Sequence, residues 1–341
     1  MKQLNWAIIG LGRFGKIHAR VIQGLPDINL VAACGRDPQR LQEHAQQVGI
    51  EDITTDYRQL LERDDVDVVS ITTHWQEHFE ITQAALASGK HVVLEKPMAA
   101  TSDQCQQVLE TAAASRGQLL VGHICRFDPR ITLAREAIQA GRIGKVVSMH
   151  AKRNLPKAPG SLRLDKVSPL MGDGIHDADL MMWMLGSAPE RIYAKNVRVH
   201  DFHYPDLGWA MLEFGSDAAN PNAVGIVETI WCLPETTPTV IDARMEIIGS
   251  EGKLLIDCSN TGLEILDASG PKQIDTTFWP VQHGQGVGIL RYELEHFAQC
   301  IRADKPSEII TPQEAARVVA VMQTAETSAA EGRVLEFIDP F

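Results

Sequence analysis

The chain has 341 residues, 44% of them hydrophobic and 22% charged, and a formal net charge of −12. That is ample material for two globular domains, and the acidic balance disfavours nucleic acid and anionic membrane, which both demand a basic face. The 6 cysteines contain no Cys-x-x-Cys pair and read as reduced thiols of a cytoplasmic protein, and no apolar run approaches the roughly 20 residues of a bilayer span.

The chain passes into a strand directly after Lys2, which predicts no signal peptide. The apolar run Trp6–Ile9 breaks into Gly10-x-Gly12-x-x-Gly15, and then Phe14, Ile17, Val21 and Ile22 recur at helical spacing. A lone glycine triplet also serves ordinary turns. At a strand-to-helix turn it predicts dinucleotide binding, with Gly10 making the turn and Gly12 letting the backbone approach a pyrophosphate. Gly15 allows close helix–strand packing, while Arg13 and Phe14 flank the ligand.

Strand and helix then alternate. Ile28–Cys34 is a strand, and Asp37-Pro38 caps and opens a helix closed by Gly49. A short strand near Ile53 and a short helix over Leu60 and Leu61 follow. Next come a strand Val66–Ile71, a helix from Gln76 to Ala87, a strand His91–Leu94, a helix from Asp103 to Ser115 and a strand Leu119–Val121. The alternation predicts a Rossmann domain, a doubly wound parallel sheet, over residues 1–123. The second strand ends in Cys34-Gly35-Arg36, without the acid that usually bonds a ribose 2′-hydroxyl, and Asp37 is committed to its helix. Arg36 suits a 2′-phosphate, so the expectation is NADP; a solvated Arg36 would leave NAD as the alternative.

Two other strand ends carry chemistry: Thr72-Thr73-His74-Trp75-Gln76-Glu77-His78 and Glu95-Lys96-Pro97. A lysine directly after a buried strand is a candidate donor, though such a segment taken alone is more often a loop of solvated charges. Residues 124–341 form the second domain. Pro129 opens a helix over Ile131–Ala140. From Val146 onward come strands without intervening helices: Val146–His150, Arg191–Val199, Trp209–Phe214, Val224–Trp231 and Ile241–Ile248. They predict an α+β domain with a large, mostly antiparallel open sheet. The polar loop from Lys152 to Pro169 is a candidate substrate wall, with Lys152, Arg153, Asn154 and Arg163 as its polar contacts. Taken one at a time, each of these is more often a solvated surface residue. Leu290, Leu294, Phe297 and Ile301 make an amphipathic helix, and Thr311-Pro-Gln-Glu314 is a capping box opening a last helix.

Four segments in register resemble the glucose–fructose oxidoreductase/inositol dehydrogenase (Gfo/Idh/MocA) family of NAD(P)-dependent sugar oxidoreductases. They are the fingerprint Gly10–Gly15, the triplet Glu95-Lys96-Pro97, Gly122-His-Ile-Cys-Arg126-Phe127-Asp-Pro129, and Asp173-Gly-Ile-His176-Asp177-Ala-Asp179. The resemblance spans essentially the whole chain. It implies hydride transfer between a nicotinamide and a secondary alcohol or ketone of a sugar, sugar acid, nucleotide sugar or cyclitol. Lys96 would bond the reacting oxygen and help hold the nicotinamide, and His176 would exchange its proton. Glu95, Thr73 and His78 would stand on the cofactor side, and Arg126 on the substrate side.

The family's usual partner acid, four residues before the histidine, is Gly172 here. Asp173 is named in its place as partner and substrate contact, with Asp177 and Asp179 as competitors. One histidine without a second ligand cluster predicts no metal. The resemblance further implies homodimers or homotetramers through the C-terminal sheet. The alternative function is a non-catalytic cofactor- or sugar-sensing regulator on the same fold.

Overall fold

The computed structural model describes residues 3–215, 222–239, 241–268 and 270–341. Two compact units are distinguished, Met1–Phe127 with Thr277–Ala316, and Asp128–Thr276 with Arg317–Phe341. The sequence expectation ran the second domain unbroken to the C-terminus, whereas Thr277–Ala316 returns to the first unit. The reason is local packing: Phe297, on the helix Ile289–Ala303, sets its ring edge-on to Trp6, with centroids 6.5 Å apart.

The first unit holds six parallel strands, β1 (Leu4–Ile9), β2 (Ile28–Cys34), β3 (Ile53–Thr54), β4 (Val68–Ile71), β5 (His91–Glu95) and β6 (Leu119–Gly122), in the order β3-β2-β1-β4-β5-β6. β1, β4 and β5 are buried on both faces, as their unbroken apolar runs require. Register aligns Ile9 with Ile71 and Ile71 with Leu94. Gly10, Thr72 and Glu95 therefore leave the sheet side by side at its carboxyl edge, where ligands of such folds bind. Local capping signals are all realised. Asp37 accepts from the Arg40 amide at 3.0 Å, and Gly49 closes that helix at a φ of 67°. Thr311 and Glu314 bond each other's amides at 2.9 and 3.2 Å.

The second unit holds a seven-stranded sheet of β7 (Val146–Asn154), β8 (Arg191–Val197), β9 (Leu207–Glu213), β10 (Val224–Ile230), β11 (Asp242–Gly249), β12 (Lys253–Asp257) and β13 (Leu335–Glu336). Its order is β12-β11-β7-β10-β9-β8-β13, and only the β7–β10 pair is parallel. One face alternates into a core under the buried helix Ile175–Leu185. β7 runs four residues past its expected end, so Lys152, Arg153 and Asn154 lie on a strand and not in the expected loop. Charged side chains tolerate this because each finds a partner. Lys152 lies 2.6 Å from Asp242 and Arg153 2.8 Å from Asp177, while Asn154 donates to Glu228 at 2.8 Å.

Candidate active site

The glycine turn is built as its spacing requires. Gly10 has a φ of +105°, a conformation that L side chains rarely adopt, and a Cβ there would stand 2.7 Å from the Thr73 amide nitrogen. A Cβ on Gly15 would lie 2.3 Å from the Gly10 carbonyl oxygen, whereas one on Gly12 would meet no heavy atom within 4 Å. That open space adjoins the start of the helix Arg13–Gln23, an end that no side chain caps. It is the cradle in which free amide N–H groups receive a phosphate. Thr72 Oγ1 donates to the Gly10 carbonyl at 2.8 Å and ties the turn to the end of β4.

A groove of about 680 Å³ opens here, lined by Gly10, Gly12, Arg13, Phe14, Arg36 and Thr73 among others. Its size is that of a small-molecule site. Phe14 is held edge-on between His18 and Trp279, at centroid distances of 5.1 and 5.4 Å. Arg36, expected to meet a 2′-phosphate or to be solvated, has its guanidinium 2.6 Å from the Glu77 carboxylate, and Glu77 lines the same groove. Sequence reasoning missed Glu77, because nothing local links positions 36 and 77.

Lys96 follows β5 directly, and the backbone on either side of it is pinned. The Lys96–Pro97 bond is cis. His78 is almost wholly buried, and its Nδ1 lies 2.7 Å from the Pro97 carbonyl oxygen. That oxygen only accepts, so Nδ1 carries the proton. Burial pushes the imidazole below its usual range, against the pull of that bond, and His78 is neutral at pH 7. The Glu95 carboxylate turns inward, 3.4 Å from His18 Nε2. On its other side, His18 Nδ1 is 3.3 Å from Ser70 Oγ, which accepts from the Trp6 indole at 2.8 Å. Trp6 only donates, so the Ser70 hydroxyl keeps its own proton to offer to His18 Nδ1. Nearby Glu293 is fully buried. Burial first and the Glu95 charge second push its carboxyl well above the usual range. Arg126 is buried as well, donating to the Ile309 carbonyl at 2.7 Å and lying 3.2 Å from Glu314. Those partners make it part of the first unit's frame.

In the second unit, the turn Leu170–Gly174 leads into the helix Ile175–Leu185 and carries Asp173; His176 lies in that helix's first turn. Asp173, His176, Asp177 and Asp179 are all buried. Asp173 is engaged by Arg163 at 3.1 Å and Asp177 by Arg153 at 2.8 Å. By strand alternation Lys152 and Asn154 stand on the sheet face opposite Arg153, and Arg153 alone of the three reaches the helix that bears His176. Gly172 has a steric reason: a Cβ there would come within 2.5 Å of Trp231 Cη2. The buried Trp231 ring fills the space that an aspartate would need, and the Arg163 guanidinium lies over that ring at 5.5 Å. No cluster of three or more His, Cys, Asp or Glu suited to a metal occurs among the described residues.

Two domain models match the chain in the same order as the two units begin. Residues 4–123 match an oxidoreductase family with an NAD-binding Rossmann fold, and residues 131–255 match the GFO/IDH/MocA C-terminal domain. The chain belongs to the Gfo/Idh/MocA oxidoreductase family.

Among its relatives is a scyllo-inositol 2-dehydrogenase (NAD(+)) of Bacillus subtilis, 28% identical over 323 residues, covering 92% of this chain and 90% of the relative. Another is a myo-inositol 2-dehydrogenase of Thermotoga maritima, 27% identical, covering 78% of this chain and 79% of the relative. Among solved structures, a scyllo-inositol dehydrogenase from Lactobacillus casei, with bound NAD(H) and scyllo-inositol, superposes with a TM-score of 0.82 at 20% identity. It covers 98% of this chain and 99% of its own, a likeness that bears on the fold alone. Family membership makes the protein an oxidoreductase whose first unit is an NAD-binding Rossmann domain. Among the described residues no helix is long and apolar enough to cross a membrane.

Proposed function

We propose that the protein interconverts a secondary alcohol and a ketone on a neutral sugar or cyclitol, using a nicotinamide dinucleotide. A bound dinucleotide supplies or takes up the hydride. Gly10, Gly12, Arg13 and the uncapped helix start hold its phosphates, and Phe14 and Thr73 flank it. Lys96, held by its pinned neighbours, donates a hydrogen bond to the reacting oxygen, where its positive charge favours the alkoxide-like form. His176 takes the hydroxyl proton in oxidation and returns it in reduction. Its buried place keeps bulk water away from the reacting atoms. We assign Asp173, held by Arg163, to binding a substrate hydroxyl near His176.

The observation that carries the neutral substrate is charge balance. Lys152, Arg153 and Arg163 were candidates for a carboxylate or phosphate, yet each already has a carboxylate within 3.1 Å. A paired guanidinium and its acid offer donors and acceptors to hydroxyl groups, which suits a polyol. The inositol dehydrogenases among the relatives support the same class. The test is a panel of cyclitols, aldoses, polyols and uronic acids, followed at the absorbance of reduced nicotinamide. Turnover of neutral polyols with uronates inactive is expected; turnover confined to acids would overturn the substrate class. No turnover with any member, together with tight dinucleotide binding, would favour the sensing regulator.

For assembly, we propose that the sheet face away from the helix Ile175–Leu185 pairs with a second copy. It leaves Trp209 40%, Ile248 42% and Leu255 68% exposed, more apolar surface than a solvated face needs. Light scattering that reports a monomer at micromolar concentration would refute this.

A further inference from the structure

We propose that Glu77 sets the dinucleotide choice of this chain, taking the place of the acid missing from β2 and disfavouring a 2′-phosphate. This inference rests on reading the glycine-turn groove as the dinucleotide site. β2 ends in Cys34-Gly35-Arg36, and Asp37 spends a carboxylate oxygen on the Arg40 amide. From its own residues, therefore, the end of β2 offers the Arg36 guanidinium, with Asp37 turned toward the start of its helix, which by itself suits NADP.

The structure adds an acceptor from another element. Glu77 ends the short turn Trp75–Glu77 beyond β4, and β1 lies between β2 and β4 in the sheet. The Arg36–Glu77 pair, at 2.6 Å, thus reaches across the strand whose end holds Gly10 and Gly12. Both side chains line the groove. Arg36 is 73% exposed and Glu77 27%, so the carboxylate is the better fixed of the two. It can accept from an uncharged ribose hydroxyl. A 2′-phosphate, by contrast, brings about −1.5 to −2 of charge against it.

Three of the four arginines that line this groove already face a carboxylate, and the fourth, Arg13, stands at the glycine turn. Arg58, in the same groove, is bound to Glu80 at 3.1 Å and lies 3.5 Å from Asp56, and Arg40 lies 3.9 Å from Asp37. Each of the three arginines along this wall faces a carboxylate. A 2′-phosphate at any of these three meets the acid already there, whereas an uncharged 2′-hydroxyl meets no repulsion. The weight that the end of β2 alone places on NADP is thereby reversed toward NAD.

The test is direct binding, independent of turnover. Dissociation constants for NADH and NADPH are measured by calorimetry on the whole chain, on Glu77→Gln and on Glu77→Lys. The wild-type protein is expected to bind NADH more tightly than NADPH. Glu77→Gln should shift the ratio of the two constants at least tenfold toward NADPH, and Glu77→Lys further in the same direction. Wild-type preference for NADPH, or a ratio unchanged within twofold in both variants, would overturn the assignment of Glu77 and leave the groove as a dinucleotide site. Failure of the wild-type protein to bind either nucleotide would overturn both. Thermal melting of each variant within a few degrees of wild type confirms that the groove is still folded.

Discussion

Gly172 and Trp231 are two halves of one packing decision. Restoring a side chain at position 172 is therefore the most informative perturbation of the second unit. In Gly172→Ala the new Cβ would lie 2.5 Å from Cη2 and 2.8 Å from Cζ2 of Trp231, well inside contact. The ring is fully buried and packs with Leu155 and Leu164, so it has no solvent to move into. Forcing one methyl into such a core typically costs about 1–3 kcal/mol. For a unit of this size that corresponds to a fall in melting temperature of roughly 2–4 °C per kcal/mol.

The displaced ring also carries the Arg163 guanidinium, and with it the grip on Asp173. A rise in KM for the polyol should therefore accompany the lower melting temperature. The discriminating variant is Gly172→Ala with Trp231→Leu, in which the smaller side chain leaves room for the methyl. Its loss should be smaller than the sum of the two single losses by about 1 kcal/mol or more, the size of coupling expected between touching residues. The assay is thermal unfolding followed by circular dichroism, with kinetics on the same samples. A Gly172→Ala protein that melts with wild type, or a double variant that is strictly additive, would refute the steric account.

Three further outcomes follow from the first unit. Gly12→Val puts its side chain into open space, so the protein should melt within about 2 °C of wild type while NADH binding falls at least tenfold, the phosphates having lost their approach. Gly15→Ala, whose methyl meets the Gly10 carbonyl, should lose stability and binding together, and equal behaviour of the two variants in melting and calorimetry would contradict the cradle. Glu293 keeps its proton in the folded state above the pH at which the unfolded chain releases it. Its contribution to stability is therefore complete at pH values below the usual carboxyl range and is lost progressively as pH rises through and beyond that range. Glu293→Gln should remove that slope and raise the melting temperature more at pH 8 than at pH 4.5; a gain independent of pH would contradict a neutral Glu293.

What the sequence disclosed, and what it withheld, follows the distance over which each signal acts. The glycine turn, the Asp37 cap and the Thr311 capping box are decided within a few residues, and the structure has all three where the spacing places them. Lys152, Arg153 and Asn154 read as loop because charges interrupt the alternation of a strand. Their partners are Asp242, Asp177 and Glu228, separated from them by 90, 24 and 74 positions, and nothing local announces such pairs. The same holds for Glu77 against Arg36, and for the Trp231 ring that explains Gly172. Thr277–Ala316 follows a run of strands in the chain, so its return to the first unit depends on which core has a free apolar face, a matter of tertiary packing. Candidate chemistry at Lys96 and His176 was legible through the family pattern. His78 was named for the cofactor side, but its hold on the Pro97 carbonyl was not legible, nor was His18 beside Glu95, because a buried histidine in a helix looks the same whether or not it holds a functional segment.

The proposed function assigns Lys96 and His176 to one hydride-transfer step, and a double-mutant cycle on turnover tests that most directly. Lys96→Met and His176→Asn should each lower kcat by about 10²–10⁴-fold, the usual contribution of a positioned proton-transfer group, while the dissociation constant for NADH stays within a few-fold of wild type. Because groups that work as a unit are grossly non-additive, the double variant should be little slower than the worse single one. Losses that multiply in the double variant, or a single variant that turns over at the wild-type rate, would contradict their part in one step.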